Sequence, residues 1–278
     1  MRVPENIRKC VAYVSFMNPK GNLQPVGSVF FLGRVKDDDS SKADRVFAVT
    51  ARHVIDGLRT HGIKDVYIRL NLNKRASPLG YSKSSVDDWF VHSSDDSIDV
   101  ALLEMGIPTE CDHLVLPMTV CLTEEKLHEN EVGLGDEVFV VGLFRHHVGK
   151  GKNIPIIRVG NLSALDEEPV STHTFGDMKA YLIEARSIGG LSGSPVILNL
   201  GNVRSIGGTV KFANSKDPLF FLLGLIHGHY DSRGGLVDAA SGEVMDTTDA
   251  VTAKINTGVA IVVPFYSILS VIEEFETK

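Results

Sequence analysis

Three residues of this chain have the type and the setting for acyl-transfer chemistry: Ser192, His53 and Asp99. Ser192 lies in Ser187-Ile-Gly-Gly-Leu-Ser-Gly-Ser-Pro195, which runs into the apolar Val-Ile-Leu-Asn-Leu200. Glycines on both sides let the backbone approach a ligand and turn N–H groups toward it. Such amides can hold an oxyanion while the hydroxyl attacks a carbonyl. A serine hydroxyl is a weak nucleophile by itself and needs a positioned base. Taken alone, the segment also reads as a Gly/Ser turn before a strand.

A base and an acid are each available in a suitable place. His53 follows Phe47-Ala-Val-Thr-Ala-Arg, at the end of a short strand and the start of a helical turn. Its pKa range suits proton transfer near neutrality, although a single histidine is most often a surface or core residue. Asp99 heads the apolar run Asp99-Val-Ala-Leu-Leu-Glu-Met105. A carboxylate so near a core must be hydrogen-bonded or paired, and an imidazole N–H is one such partner. In isolation it reads equally as a strand-end turn residue. Asp95 and Asp96 are rivals in the polar Ser-Ser-Asp-Asp-Ser, where solvation explains them.

Together the three segments carry a resemblance. Val-Thr-Ala-Arg-His53, Asp99-Val-Ala-Leu-Leu and Gly190-Leu-Ser-Gly-Ser-Pro195 resemble V-T-A-A-H, D-I-A-L-L and G-D-S-G-G-P of the trypsin-like (chymotrypsin-fold) serine proteases. The order His, Asp, Ser is that of this fold. Arg158-Val-Gly160 and Leu223-Gly-Leu-Ile226 are similar to the bacterial, disulfide-free branch. The resemblance implies an all-β architecture of two six-stranded antiparallel barrels with a C-terminal helix. Residues 1–118 would carry His53 and Asp99, and residues 119–278 would carry Ser192. It implies a serine endopeptidase with Ser192 as nucleophile, His53 as base then acid, and Asp99 fixing the histidine tautomer. The N–H groups of Gly190 and Ser192 would form the oxyanion hole. Ser194 is the rival nucleophile, at a position where the family has glycine. The chemistry needs no cofactor and no metal; His146, His147, His227 and His229 lack a supporting ligand motif.

Two departures from the family pattern bear on activation and compartment. Leu191 stands where digestive members have the aspartate that pairs with a freshly cut N-terminus, so that switch is not expected. The chain would be active as made or ordered by a regulatory protein partner. Val54 stands where many secreted members have a bridging cysteine. The family's primary specificity pocket would take Arg186 at its base, with His227-Gly-His229 along one wall. A cationic base prefers an acidic side chain before the cut bond; an internal pair for Arg186, or an outward orientation, is the alternative. Two further readings use the same residues. One is a peptide-binding module that no longer cuts, holding an extended peptide as an added strand. The other is an esterase.

The elements that must position these residues are short strands. Apolar, β-prone runs cover residues 10–16, 26–35, 46–50, 66–72, 89–91 and 99–105, then 136–144, 154–163, 180–185, 194–200, 219–227 and 258–263. Many short strands with almost no helix predict a sandwich or barrels. Residues 36–45, 73–97 and 145–153 read as polar loops, 108–131 as a connector and 228–257 as one long polar loop. Gly57 is expected to end a single helical turn. Pro264 opens a helix with Phe265, Ile268, Leu269, Ile272 and Phe275 on one face, expected to dock on the second half. At 278 residues a sizeable core can form. The net charge of −7 gives no footprint for nucleic acid. No run reaches membrane-spanning length, and the N-terminus lacks the apolar core of a signal peptide. With Cys10, Cys111 and Cys121 as an odd set without metal spacing, a cytoplasmic protein is expected.

Overall fold

The computed structural model describes residues 3–36, 39–73, 79–144, 147–185, 190–213, 218–233 and 254–278. The first half contributes β1 (Val11–Met17), β2 (Leu23–Lys36), β3 (Asp39–Thr50), β4 (Asp65–Asn71), β5 (Leu79–Ser85), β6 (Phe90–Val91), β7 (Ala101–Glu104) and β8 (Leu116–Pro117). The second contributes β9 (Glu137–Leu143), β10 (Pro155–Ala164), β11 (Val170–Thr172), β12 (Gly176–Met178), β13 (Tyr181–Glu184) and β14 (Pro195–Asn199). It continues with β15 (Val203–Ile206), β16 (Thr209–Phe212), β17 (Phe220–Arg233) and β18 (Lys254–Pro264). Three α-helices are described: α1 (Arg52–Thr60), α2 (Glu124–Glu129) and α3 (Phe265–Thr277).

The second half closes into a six-stranded barrel in the order β10-β13-β18-β17-β14-β9. The first is an eight-stranded sheet, β5-β4-β1-β2-β3-β7-β6, with β8 pairing β2 in parallel. This is the all-β, chymotrypsin-like arrangement that the resemblance implied, with one difference: the first sheet stays open. Its outer strands β5 and β6 are joined by a 3-10 turn, Val86–Asp88, instead of a ladder. Ser85 and Asp88 cap that turn reciprocally, and the buried Trp89 fills the corner.

Burial explains the strand patterns. Residues 11–15 of β1 are buried without alternation, because that strand is covered on both faces. One core runs from the first sheet to the outer layer of the barrel and α3; a second fills the barrel with Leu162, Ile183, Val196, Leu198, Leu223 and Val262. All three cysteines are buried and free. No helix among the described residues is long and apolar enough to cross a membrane.

Several elements differ from expectation. Helix α1 continues through Gly57 to Thr60, because Val54, Ile55 and Leu58 form a buried stripe that packing supports past the glycine. Strand β5 and helix α2 lie in stretches expected to be loop and connector; β5 is half-exposed and polar, so it shows little apolar alternation. The expected loops at 36–45 and 228–257 are shortened by β2, β3, β17 and β18, with 37–38 and 234–253 outside the described residues. Helix α3 spans the two halves. It packs on β17 and β18, while Phe275 stacks edge-on with Phe47 and Phe90, and Glu276 pairs with Arg34 and Arg45 of the first sheet.

Candidate active site

Asp99 is fully buried, just before β7, and its carboxylate is satisfied from two directions. Oδ1 accepts the backbone N–H of His53 at 2.8 Å, and Oδ2 accepts the His53 ring at Nδ1, also at 2.8 Å. Local structure explains the first bond. His53 lies in the first turn of α1, whose N-cap Ala51 has no side chain to offer its orphan amides. Asp99 supplies the missing acceptor from the segment leading into β7, the strand paired with β3. The ring bond puts a proton on Nδ1 and leaves Nε2 as the basic nitrogen.

A third donor reaches the same acid. Nδ1 of His227, on β17, lies 2.5 Å from Asp99 Oδ2. His227 is buried, and its ring stacks edge-on with His53 at 5.2 Å and with Phe175 at 5.7 Å. Burial alone would raise the Asp99 pKa; the His53 charge and the hydrogen bonds from His227 and His53 outweigh it and hold the carboxyl below its usual range. For His53, burial disfavours the charged ring, but Asp99 by charge and hydrogen bond, with a smaller contribution from Asp56, shifts the net upward. His53, Asp99 and His227 form a compact His/Asp/His set. An ion holding these donors at about 2.0–2.1 Å would keep them farther apart than the observed 2.5 and 2.8 Å, so the geometry suits shared protons.

Ser192 is partly exposed in a tightly pinned loop. Gly190 and Gly193 take φ of 100° and 81°, a region that strains any residue with a side chain. A Cβ on Gly193 would lie 2.2 Å from Ser28 O and 2.4 Å from Thr50 Oγ1. Ser28 of β2 holds the loop from the opposite half: its N–H donates to Ser192 O and its hydroxyl to Gly190 O, both at 2.9 Å. From β17, Ile226 O accepts the Gly193 N–H at 2.8 Å. Leu191 is buried in the barrel core against Gly142, an apolar anchor for the loop.

The Ser192 hydroxyl donates to the backbone carbonyl of His227 at 3.2 Å. No hydrogen bond joins Ser192 to His53, although the ring of His227 lies on Asp99 and edge-on to His53. Catalytic hydrogen bonds commonly tighten only when substrate binds. Among the described residues, neither the Gly190 nor the Ser192 N–H is bonded to another group. Ser194 is fully buried with an unpartnered hydroxyl, inaccessible to a substrate.

The other expected residues are dispersed. Asp95 bonds Ser97, and Asp96 is exposed and paired with Arg52 at 3.0 Å. His229 is half-buried on β17 opposite Ala260. Arg186 and His146 fall outside the described residues. His227, expected along a pocket wall, places its ring on Asp99; a histidine closing an apolar run was the available signal for that contact. Ser28 gave none, because an isolated serine in a strand has no distinguishing neighbours.

No family model and no curated protein matches the chain. Solved structures similar to it include protease domains. The MamO protease domain from Magnetospirillum magneticum has 16% identity over 96% of this chain and 97% of its own, with a TM-score of 0.49. The HtrA-type protease AlgW with decapeptide has 14% identity, covering 96% of this chain and 65% of its own, with a TM-score of 0.49. The active form of the Rv3671c protease from M. tuberculosis has 15% identity over 98% of this chain and 91% of its own, with a TM-score of 0.48.

Proposed function

We propose that this chain is a serine endopeptidase acting through Ser192, His53 and Asp99. The observation that carries the reading is the pair of hydrogen bonds that Asp99 accepts from His53, from amide and ring at 2.8 Å each, beside a serine in a loop with positive-φ Gly190 and Gly193. A rotation of the Ser192 side chain away from His227 O turns its proton to His53 Nε2. The oxygen then attacks the substrate carbonyl as His53 takes the proton. The tetrahedral oxyanion faces the N–H groups of Gly190 and Ser192. Collapse breaks the C–N bond, the leaving amine takes the proton from His53, and water cleaves the ester by the same route. Asp99 stays ionised and steadies the imidazolium.

The substrate is a protein or peptide in extended form. Arg186 lies outside the described residues; by the resemblance it corresponds to the base of the family's primary pocket, and a cation there favours an acidic residue before the cut bond, while Leu191 dispenses with activation by a new N-terminus. Mapping the bonds cut by wild-type protein, against Ser192→Ala, tests all three statements. Cleavage after Asp or Glu without prior processing is expected. No cuts above the Ser192→Ala background would reject the activity, and a preference for Lys, Arg or Leu would reject the pocket.

One observation favours a second reading, a peptide-binding module without turnover: the serine hydroxyl is engaged by His227 O and not by His53. Under that reading peptides bind and are recovered intact. Hydrolysis of simple esters without peptides would mark an esterase.

A further inference from the structure

Val203, Val210 and Phe212 of the β15–β16 hairpin are exposed at 55%, 59% and 72%. Val203 pairs with Phe212 and Ser205 with Val210 across the ladder, so the three apolar side chains share one face. A two-stranded hairpin is marginal by itself in water, yet this one is firmly held. Gly207 and Gly208 form a tight turn with φ of 59° and 72°, the signs that a two-residue hairpin turn needs. Glu131 accepts the Gly207 N–H at 2.7 Å. On the opposite face, Arg204 grips Asp136 with two bonds, at 2.7 and 2.6 Å, and donates to the Asn130 and Glu131 carbonyls. The hairpin therefore presents an aromatic ring to solvent on a fixed support. It follows β14 at the end away from Ser192, with roughly 13 Å of strand between at about 3.3 Å per residue.

We propose that this hairpin and the cavity beside it bind an extended segment of a partner protein, one in which an acidic residue neighbours an aromatic or branched apolar residue. The cavity measures about 600 Å³; Val203, Phe212 and Phe221 line it together with Lys126, Lys211 and Glu129. Lys126 Nζ is fixed by the Thr119 and Cys121 carbonyls at 2.7 and 3.1 Å and lies over the Phe221 ring. Among the described residues, neither Lys126 nor Lys211 has a carboxylate partner. In a chain of net charge −7, two such cations beside an apolar face are complementary to a segment that is both acidic and apolar. An isologous contact between two copies would set the same lysines on both sides, which argues for a partner of opposite charge. The extended form follows from the sheet: the order β15-β16 leaves each strand with an outer edge unladdered among the described residues, where a peptide adds as a further strand.

The test is selection of a random dodecapeptide phage library on the full chain carrying Ser192→Ala, followed by fluorescence anisotropy of the enriched peptides. The enriched sequences are expected to join Asp or Glu to Phe, Tyr, Leu or Val. Phe212→Ser is expected to weaken their binding about 10- to 30-fold, as for a truncated aromatic anchor. Lys211→Glu is expected to weaken it about tenfold, and added salt to weaken it further. Tyr81→Ser, a change at an exposed ring of the first sheet, is expected to leave binding unchanged. Phe212, Lys211 and Tyr81 are all exposed, so the three variants should unfold at the temperature of the parent protein. Binding needs no turnover, so the outcome is independent of the proteolytic reading. No Phe212-dependent peptide, peptides without an acidic residue or indifferent to Lys211→Glu, or an equal loss in Tyr81→Ser would overturn the inference. A dimer in sedimentation that Phe212→Ser dissolves would overturn it too, by identifying a second copy as the occupant.

Discussion

Asp99 holds His53 at two points, one oxygen on the backbone amide and one on the ring, each at 2.8 Å. The carboxylate thus fixes the start of α1 and the tautomer of the base in a single contact. Asp99→Asn keeps the volume but presents an N–H₂ to imidazole nitrogens. We expect kcat to fall roughly 10³- to 10⁴-fold, with the wrong tautomer as cause. Steady-state kinetics with a peptide substrate checks this; a loss under tenfold would remove Asp99 from the mechanism.

The raised pKa of His53 sets opposite pH trends for activity and stability. The base must be neutral, so the acid limb of kcat/KM is expected above the ordinary histidine value of about 6.5. The stabilisation from charged His53 on Asp99 is complete below about 6.5 and is lost as pH rises through the raised value. For Asp99, whose pKa is depressed, stabilisation is present above about 3.9 and lost as pH falls through the lower value. Paired pH profiles of kcat/KM and of denaturant unfolding check these directions.

Ser28 and Ser194 make a contrasting pair in the support of the loop. The Ser28 hydroxyl joins Gly190 O at 2.9 Å and accepts the Leu143 N–H at 3.3 Å. Ser28→Ala removes both bonds and is expected to cost about 1–3 kcal/mol, with lower kcat. Ser194→Ala removes a buried hydroxyl that has no partner. Its stability is expected to equal or exceed wild type, with activity retained. Urea unfolding and kcat for both variants distinguish them.

Helix α3 fastens the two halves to each other. Phe275 meets Phe47 and Phe90, at ring distances of 6.0 and 5.3 Å, on the face carrying the Glu276 pairs to Arg34 and Arg45. Phe275→Ala is expected to lower stability by about 1–2 kcal/mol for a half-buried ring. Thermal unfolding should show the loss, while kcat/KM at 25 °C stays near wild type.

The cysteines are expected to be inert in the folded state. Burial pushes the Cys10 thiol up to about 12, and raises Cys121 and Cys111 as well. Few thiolates form at neutral pH. Alkylation by iodoacetamide should require denaturant, as intact mass would show.

Much of this was legible in the sequence because the informative residues sit beside strong strand signals. Asp99 precedes a run buried at Val100, Ala101 and Leu102, and His53 follows one buried at Phe47, Ala48 and Val49. Their register fixes where the side chains emerge. The open edge of the first sheet was not legible, because β6 has only two residues and closure depends on a capped turn. The length of α1 was hidden by Gly57, whose local cost tertiary packing overrides. The roles of His227 and Ser28 come from contacts across 128 and 162 positions of chain, which no local pattern encodes.

The central claim is that Ser192 can be made nucleophilic by His53. The most direct measurement is intact-protein and peptide mass spectrometry after exposure to a fluorophosphonate. The expected result is a single adduct on Ser192, absent from Ser192→Ala and strongly slowed in His53→Ala. No adduct on folded wild-type protein, or an adduct on Ser192 that forms at the same rate without His53, would contradict it.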